Sequence, residues 1–365
     1  MMSAAVQDLE PHAGMVIAGR YRLDARIGEG ASSQVFRSTD LKDGRGVALK
    51  LLSSESVDAA GAERFRREAE LATKLQHPNT IRLIAYNLRA QPLPFIVYEL
   101  LEGESLQELT RREGPLSEAR AANITMQVLR SLMEAHEVGI VHRDVKPGNV
   151  FVCSSDTRLG AVKVLDFGIA KSVDGLEAQV TAAGILVGTP RYMPPEQIRG
   201  ETPIPAMDLY ATGTMLAEML SGQPTLTCSV AEACLEQLRP ERVPLPAVLQ
   251  GSRLWPVIWR ATDKDLATRY ATANEMLGDL ERLYDTLSPS PLLSRAPGEP
   301  ARTSFVPTTV MANPELAPAP GTLPPPPAAE RGRGAVWLLA MLLLFLAAIA
   351  LTAFGLYWVR TRGAL

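Results

Sequence analysis

A glycine-rich segment and a lysine that follows it are residue types suited to holding phosphate. The segment spans residues 27–35 and reads IGEGASSQV, and Lys50 ends the next apolar run. Glycines between two strands let backbone amides approach phosphate oxygens closely, and a lysine on the next strand supplies a positive charge. Ser33 stands where the common GxGxxG pattern has its third glycine, so this segment alone is more typical of a simple turn.

A dinucleotide site of the Rossmann type is disfavoured by the residues that come after the glycines. Such a site needs a strand, a glycine turn and then a helix whose N-terminus faces the pyrophosphate. Here the turn leads into another strand-like run, residues 35–38. The formal net charge of −3 also argues against a nucleic-acid partner, because proteins that bind nucleic acids usually carry a basic excess.

A second constellation of charged and amide residues lies near the middle of the chain. Residues 141–149 read VHRDVKPGN, and the triplet DFG comes at residues 166–168, after a gap the length of a hairpin. With an HRDxKPxN pattern and DFG at this spacing, the sequence resembles the eukaryotic-type protein kinases, specifically their bacterial membrane-anchored serine/threonine branch. The resemblance covers about residues 21–285 and continues through residues 188–196, residues 208–213 and Arg269.

The resemblance implies transfer of a phosphoryl group from ATP to a hydroxyl, a reaction in which positioning and charge neutralisation dominate. Asp144 would orient the substrate hydroxyl or accept its proton, and Lys146 would contact the γ-phosphate, as in serine/threonine kinases. Asp166 would bind a Mg²⁺ ion between the β- and γ-phosphates, and Asn149 would bind a second one. Lys50 would hold the α- and β-phosphates.

The same resemblance predicts how the strand lysine is held and where adenine binds. A glutamate on the following helix pairs with that lysine; Glu68 fits the family pattern best, and Glu70 is the alternative. Adenine would lie between two lobes, with Tyr98 at the gatekeeper position and its hydrogen bonds made to the backbone of Glu99 and Leu101. The implied nucleotide-binding residues are Ile27, Gly28, Gly30, Ser33, Val35, Ala48, Lys50, Glu99, Leu101 and Phe151.

Regulation is expected to involve the segment between Asp166 and residue 196. By resemblance, Arg143 helps to bind this segment once it is phosphorylated. Thr181 is the candidate for phosphorylation, which adds nearly two negative charges, and Ser172 and Thr189 are the other acceptors. Thr189 is expected instead to contact the catalytic aspartate.

Three further residues are expected to be structural. By resemblance, Glu196 and Arg269 form an ion pair that anchors the C-terminal lobe, and Asp208 braces the catalytic loop. None of these side chains is expected to take part in the chemistry.

The segments around these motifs indicate a two-lobed α+β fold. Strand-like runs and glycines dominate residues 21–101, the predicted small lobe, and helical periodicity dominates residues 102–287, the larger lobe. A β-rich part followed by a larger helical part predicts the α+β class, here the bilobal protein-kinase fold that the resemblance implies. The predicted strands are residues 21–27, 35–38, 47–51, 81–85 and 95–100, and the predicted helices are residues 62–75, 118–137, 204–221 and 274–287.

The C-terminal part is expected to anchor the protein in a membrane. Residues 288–334 are rich in proline and read as a linker that does not fold. Residues 335–359 carry no charge and are long enough to cross the hydrocarbon core as a helix, which leaves a tail of residues 360–365. Residues 1–20 lack a basic region followed by a long apolar run and are predicted as an N-terminal extension.

These features together predict a serine/threonine protein kinase that uses ATP and Mg²⁺ and phosphorylates proteins, itself included. Because ATP and Mg²⁺ are cytosolic, the kinase domain would face the cytoplasm from a bacterial inner membrane, and a transient homodimer would permit trans-autophosphorylation. Two alternatives stay open: a catalytically inactive pseudokinase scaffold that binds nucleotide, and a small-molecule phosphotransferase. A pseudokinase usually lacks the strand lysine, the HRD aspartate, the metal-binding asparagine or the DFG aspartate, and this chain has all four.

Overall fold

The computed structural model describes residues 10–287, except for residues 31–32, 54–58, 91–92, 155–159 and 168–189. Several expectations concern residues outside these ranges: the acceptors Ser172, Thr181 and Thr189, the linker 288–334, the membrane helix 335–359 and the tail 360–365. Within the described ranges, no helix is both long and apolar enough to cross a bilayer.

The first lobe is built on a six-stranded antiparallel sheet. Its strands are β1 (Val16–Ile17), β2 (Tyr21–Glu29), β3 (Ser33–Asp40), β4 (Gly46–Leu52), β5 (Leu83–Asn87) and β6 (Phe95–Glu99). They lie side by side in the order β1-β2-β3-β4-β6-β5. Every residue of β4 after its first is buried, as its apolar sequence GVALKLL requires, so the one charged residue of this strand, Lys50, is enclosed as well.

Helix α1 (Ala59–Ala72) packs on the sheet. Phe65 and Ala69 lie one turn apart on it and are buried in an apolar cluster with Ile96 and Tyr98 of β6. The exposed face of the helix is rich in arginine and glutamate, which pair with one another at the surface. The helix is therefore amphipathic and is held on the sheet by side-chain packing.

The second lobe is mainly helical, with a small three-stranded antiparallel sheet. Its helices are α2 (Leu106–Glu113), α3 (Glu118–Glu137), α4 (Pro195–Ile198), α5 (Pro205–Ser221), α6 (Val230–Leu238), α7 (Trp255–Ala261) and α8 (Ala273–Tyr284), and its strands are β7 (Gly103–Ser105), β8 (Val150–Cys153) and β9 (Ala161–Val164). Helix α5 is central, because every residue from Ala206 to Met219 is buried. Gly213 permits its close approach to α7, since a Cβ there would lie 2.5 Å from the Cβ of Ala261.

Local capping signals determine where several of these helices begin. Ser105 and Glu108 form a capping box at α2, and Ser229 and Glu232 form another at α6. In each box the serine side chain accepts the third N–H of the helix, and the glutamate accepts the backbone N–H of the serine. A serine followed three residues later by a glutamate therefore marks the start of each of these two helices.

The helix expected over residues 62–75 ends earlier, at Ala72, for a tertiary reason. The carboxylate of Glu134, on α3 of the second lobe, accepts the backbone N–H groups of Gln76 and His77, each at 2.9 Å. These bonds satisfy amides that a continuing helix would have bonded to its own carbonyls. The chain consequently leaves helical geometry where it meets the second lobe.

Two other differences lie near the ends of the described part. The helix expected over residues 274–287 ends at Tyr284, and Leu287 instead turns back into the core of the second lobe. Strand β1 lies in the N-terminal extension and pairs with β2, so the sheet begins before residue 21. The other predicted strands and helices occur within about two residues of their expected positions.

Candidate active site

The strand lysine lies in a buried cluster of charges. Lys50 Nζ is 2.6 Å from Glu68 Oε1 and 3.3 Å from Asp166 Oδ1, and the lysine side chain is 7% exposed. Burial on its own lowers the pKa of Lys50, but the charges of Asp166 and Glu68 outweigh burial and raise this pKa above its ordinary value. Lys50 is therefore a permanent cation held between two carboxylates.

The strand register explains why this lysine reaches α1. Ala48 lies opposite Tyr98, and Lys50 lies opposite Ile96, on the neighbouring strands β4 and β6. Residues two apart on a strand, and their direct partners on the next strand, project from the same face of a sheet. The Lys50 side chain consequently shares its face with Ala48, Tyr98 and Ile96, the face on which α1 packs.

Of the two glutamates expected as its partner, the structure brings only Glu68 to the lysine. Glu70 lies on the outer side of α1, where it pairs with Arg66 and its side chain is about half exposed. A helix turns by about 100° per residue, so two positions along the chain reach nearly opposite sides of it. The inward position of Glu68 agrees with that of Phe65, which is buried three residues earlier on the same side of the helix.

A second cluster, formed by Asp144, Lys146 and Asn149, lies on the loop before β8. Asp144 Oδ2 accepts a hydrogen bond from Asn149 Nδ2 at 2.9 Å and is 3.0 Å from Lys146 Nζ. The asparagine amide also donates to the backbone oxygen of Asp144 at 2.8 Å. All three residues are buried, so the carboxylate is held by both a cation and an amide.

Asp208, at the start of α5, holds this loop through hydrogen bonds to its backbone. Its two carboxylate oxygens accept the backbone N–H groups of His142 and Arg143, each at 2.8 Å, and one oxygen also lies 2.8 Å from His136 Nε2. Arg143 has a φ of +63°, a left-handed conformation that costs energy for a residue with a side chain. The bracing by Asp208 was expected, whereas the part of His136, on α3, was not.

His142 connects the loop to the segment that carries Asp166. Its Nε2 donates to the backbone oxygen of Leu165 at 2.9 Å, and its Nδ1 accepts the N–H of Asp144 at 3.2 Å. Burial lowers the pKa of His142, which is therefore neutral and able to serve as donor and acceptor at once. Its ring also lies 4.5 Å, between centroids, from the ring of Phe167.

The apolar residues expected around adenine fall in one cluster, to which both lobes contribute. Val35, Ala48, Tyr98, Leu101 and Phe151 are buried there, and Ile27 packs against them. Two further members of this cluster come from α1, so the expected adenine site and the helix share one packed core. The arrangement could clamp a flat heteroaromatic ring between strands of the two lobes.

The polar parts of the expected nucleotide site are only partly described. Gly28 pairs with Val35 across β2 and β3, and the N–H of Gly30 donates to the backbone oxygen of Ser33 at 2.7 Å. The side chain of Glu99 is engaged by Lys163 at 2.7 Å. The side chain of Glu99 is thus occupied, and the backbone contact of this residue with adenine stays a prediction.

Arg143 has nitrogen atoms that find no acceptor within the described part of the chain. Its Nε and Nη1 are buried and make no hydrogen bond there. Burial lowers the pKa of this guanidinium, which means that its charge is poorly compensated where it lies. An anion would satisfy these donors.

The ion pair expected between Glu196 and Arg269 is present, since Arg269 Nη1 lies 2.6 Å from Glu196 Oε1.

One contact in the site was not anticipated from the motifs. The hydroxyl of Tyr98 donates to Glu68 Oε1 at 3.0 Å, the oxygen that also pairs with Lys50. The motifs place Tyr98 at the back of the cleft but assign its hydroxyl no partner. The hydroxyl of a buried tyrosine generally finds a hydrogen-bond partner, and this rule is the one signal from which a partner for Tyr98 could have been expected.

Comparisons with known proteins show the family to which the chain belongs. A profile of the protein kinase domain family matches residues 21–253. A probable serine/threonine-protein kinase of Corynebacterium efficiens is 38% identical over 86% of this chain and 48% of its own length. Serine/threonine-protein kinase pkn3 of Myxococcus xanthus is 37% identical over 75% of this chain and 52% of its own, and PknB of Mycobacterium tuberculosis is 35% identical over 74% and 44%.

A likeness among solved structures extends to the backbone. The crystal structure of the Mycobacterium tuberculosis PknI kinase domain matches with a TM-score of 0.57 at 23% identity, covering 75% of this chain and 99% or more of that one, a likeness that shows the bilobal fold. The chain spans about half the length of the curated relatives named above. The residues matched by the family profile include both charge clusters described here. The chain therefore belongs to the protein kinase domain family, among relatives that are bacterial serine/threonine-protein kinases.

Proposed function

We propose that the protein is a serine/threonine protein kinase that transfers the γ-phosphoryl group of ATP to hydroxyl groups of proteins, itself included. The observation that carries the proposal is the assembled pair of clusters: Lys50 held by Glu68 and Asp166, and Asp144 held by Lys146 and Asn149. Each cluster combines charges that phosphoryl transfer needs at fixed positions. Their assembly disfavours the pseudokinase alternative.

The side chains can divide the reaction between them. Asp144 is held by Asn149 and Lys146 so that its carboxylate can orient a substrate hydroxyl and take up its proton. Lys146 lies within 3.0 Å of that carboxylate, and its ammonium would neutralise charge on the transferring phosphoryl group. Lys50 would hold the α- and β-phosphates, while Glu68 keeps the lysine directed toward them.

Asp166 and Asn149 fit Mg²⁺ in their chemistry. They supply a carboxylate and an amide oxygen, and Mg²⁺ in nucleotide sites is bound by one or two such groups together with phosphates. The amide nitrogen of Asn149 donates to Asp144, so its amide oxygen is directed away from that residue. These two residues would hold the ions, and the positive charge supplied in this way would neutralise charge on the nucleotide phosphates.

Activity can be tested with the full-length chain and Mg-ATP. Protein dephosphorylated beforehand is incubated with ATP, and intact-mass spectrometry counts the phosphates gained, with Asp144→Asn as the matched control. Phosphates gained by the wild type alone support the proposal, and transfer to an added protein separates a protein kinase from a small-molecule phosphotransferase. If the folded protein bound nucleotide but transferred no phosphoryl group, the result would favour the pseudokinase scaffold instead.

We propose that residues 335–359 anchor the kinase in a bacterial inner membrane, with the catalytic part in the cytoplasm. The support is the uncharged apolar run in the sequence, flanked by Arg333 and Arg360, together with the cytosolic location of ATP. Membrane fractions extracted with alkaline carbonate should retain the full chain and release a variant truncated after residue 334. Release of both proteins would contradict the anchor.

We propose that phosphorylation of Thr181 in trans, within a transient homodimer, activates the enzyme. The support is Arg143, which lies directly before the catalytic aspartate: two nitrogen atoms of its guanidinium have no acceptor among the described residues and could bind a phosphate. The Thr181→Ala variant is expected to lose the lag of autoactivation and most of the activity, and the lag in wild type should shorten as protein concentration rises. A variant with wild-type activation kinetics would refute this regulation.

A further inference from the structure

Tyr98 and Lys50 approach the same atom of Glu68 from two neighbouring strands. The tyrosine hydroxyl lies 3.0 Å from Glu68 Oε1, and Lys50 Nζ lies 2.6 Å from it. The tyrosine ring is buried and stands opposite Ala48, whose small side chain leaves the ring room beside the lysine. Glu68 thus bonds α1 to the sheet at two points.

The hydroxyl can act only as a donor toward this carboxylate. Burial, reinforced by the charge of Glu68, raises the pKa of Tyr98 well above its ordinary value, so the proton stays on the phenol. A hydrogen bond from a buried hydroxyl to a carboxylate is stronger than one between neutral groups. The bond therefore adds to the hold of the sheet on α1, which otherwise depends on the pair of Glu68 with Lys50 and on side-chain packing.

Removing the hydroxyl would shift the balance at Lys50. Besides Glu68, the lysine has Asp166 as a partner, at the longer distance of 3.3 Å. With Glu68 less restrained, the ammonium can move toward Asp166, which lowers the fraction of molecules in which it faces the nucleotide phosphates. The ring alone would continue to fill the apolar cluster.

We propose that Tyr98 is a positioning residue, whose hydroxyl holds Glu68 so that Lys50 stays directed at the phosphates of bound ATP. The proposal rests on the kinase function proposed above and assigns Tyr98 a part in rate rather than in nucleotide affinity. If Tyr98 served only to fill the core, the Tyr98→Phe variant would keep its rate, because phenylalanine fills the same space.

The test is the full-length Tyr98→Phe variant, with Tyr21→Phe as its matched control. Tyr21 is a buried tyrosine of the same sheet, on β2, away from Lys50. In Tyr98→Phe we expect kcat to fall about tenfold, because one hydrogen bond to a charged group is lost, while the KM for ATP stays within about twofold of wild type. In Tyr21→Phe we expect neither constant to change. A kcat within twofold of wild type, or a loss confined to the KM, would overturn the proposal.

Two further measurements separate a positioning role from a purely structural one. In a Glu68→Gln background, Tyr98→Phe should add little, because the charge that the hydroxyl holds is gone; an undiminished loss there would contradict the proposal. Labelling of Lys50 by an acyl-phosphate derivative of ATP, followed by mass spectrometry, needs no phosphoryl transfer and should be several-fold slower in Tyr98→Phe, because the lysine faces the phosphates in fewer molecules. If the wild type transfers no phosphate, the kinase function fails, while the labelling rate still decides the part of Tyr98.

Discussion

Replacing Arg269 by alanine is expected to destabilise the second lobe severely. The Arg269 side chain is fully buried, and its guanidinium lies 2.6 Å from Glu196 Oε1, whose side chain is 3% exposed. The same guanidinium donates to the backbone oxygens of Asp263, Ala206 and Lys264. It therefore ties α4 to the start of α5 and to the loop before α8.

The expected magnitude depends on the charge that the substitution leaves behind. Alanine at this position strands the carboxylate of Glu196 in the interior without a counter-charge, which typically costs about 3–5 kcal/mol. A domain of this size loses roughly 2–4 °C in Tm for each kcal/mol, so the melting temperature should fall by about 6 °C or more. That loss is a large part of an ordinary unfolding free energy of about 5–15 kcal/mol.

The assay is thermal unfolding of the full-length chain, followed by tryptophan fluorescence, since Trp255 and Trp259 lie on α7 of this lobe. The matched control is Arg130→Ala, which breaks an ion pair between Arg130 and Glu281 whose side chains are 41% and 51% exposed. Exposed pairs contribute about 0–1 kcal/mol, so the control should melt close to wild type.

A double substitution distinguishes the stranded charge from lost packing. Removing Glu196 as well, in Arg269→Ala/Glu196→Ala, should recover part of the loss because no unpaired charge is left buried. If Arg269→Ala melts within about 2 °C of Arg130→Ala, or if the double variant is as unstable as the sum of the two single ones, the electrostatic account is wrong.

Three other substitutions test separate parts of the structure. Burial raises the pKa of Glu218 although the hydroxyl of Tyr192 donates a hydrogen bond to it. The folded state therefore holds this proton more tightly than the unfolded state, and stability falls as pH rises above about 4.5. The Tm of Glu218→Gln should rise relative to the Tm of wild type between pH 4 and pH 7, and a difference in Tm that does not change with pH would contradict this. Gly213→Ala places a Cβ 2.5 Å from that of Ala261 and should cost about 1–3 kcal/mol in urea unfolding, an expectation that an unchanged midpoint would refute. Asp208→Asn replaces a charged acceptor of two backbone N–H groups, so kcat should fall about tenfold or more with little change in the KM for ATP, and an equal rise in KM would point to the nucleotide site instead.

The parts of the site that could be predicted are those carried by short, local sequence patterns. Asp144, Lys146 and Asn149 lie within one loop, and their hydrogen bonds to one another reflect that short spacing. The predicted strands and helices likewise reflect local periodicity, whereas the capping boxes at α2 and α6 mark two helices that were not among the predictions. Local patterns specify local geometry, and here they also carried the resemblance that implied the reaction class.

The parts that could not be predicted depend on how distant elements pack. The bond from Tyr98 to Glu68 requires both the register of β4 against β6 and the rotation of α1 on the sheet, neither of which any motif encodes. The contact of His136 with Asp208 joins α3 to α5 through residues 72 positions apart in the sequence. Likewise, α1 ends at Ala72 because of a carboxylate on α3, although its own sequence continues the helical pattern.

The chain that leaves α1 is fastened to the second lobe, and this limits how the two charge clusters can separate. Asn79 Nδ2 donates to the backbone oxygen of Val162 at 2.8 Å, and the hydroxyls of Thr80 and Ser131 lie 2.7 Å apart. The backbone of the next residue, Ile81, donates to Val164 on β9.

The chain just after α1 is therefore tied to the lobe that carries Asp144, whereas Glu68, in the C-terminal half of the helix, ties α1 to the first lobe. A displacement of α1 that breaks the pair with Lys50 must then pivot about the fastened end, with the largest movement at its N-terminal end. The bonds from Lys50 and Tyr98 to Glu68 resist that rotation from the C-terminal half of the helix. The two contacts to one carboxylate oxygen consequently couple the position of a whole helix to the position of one catalytic lysine.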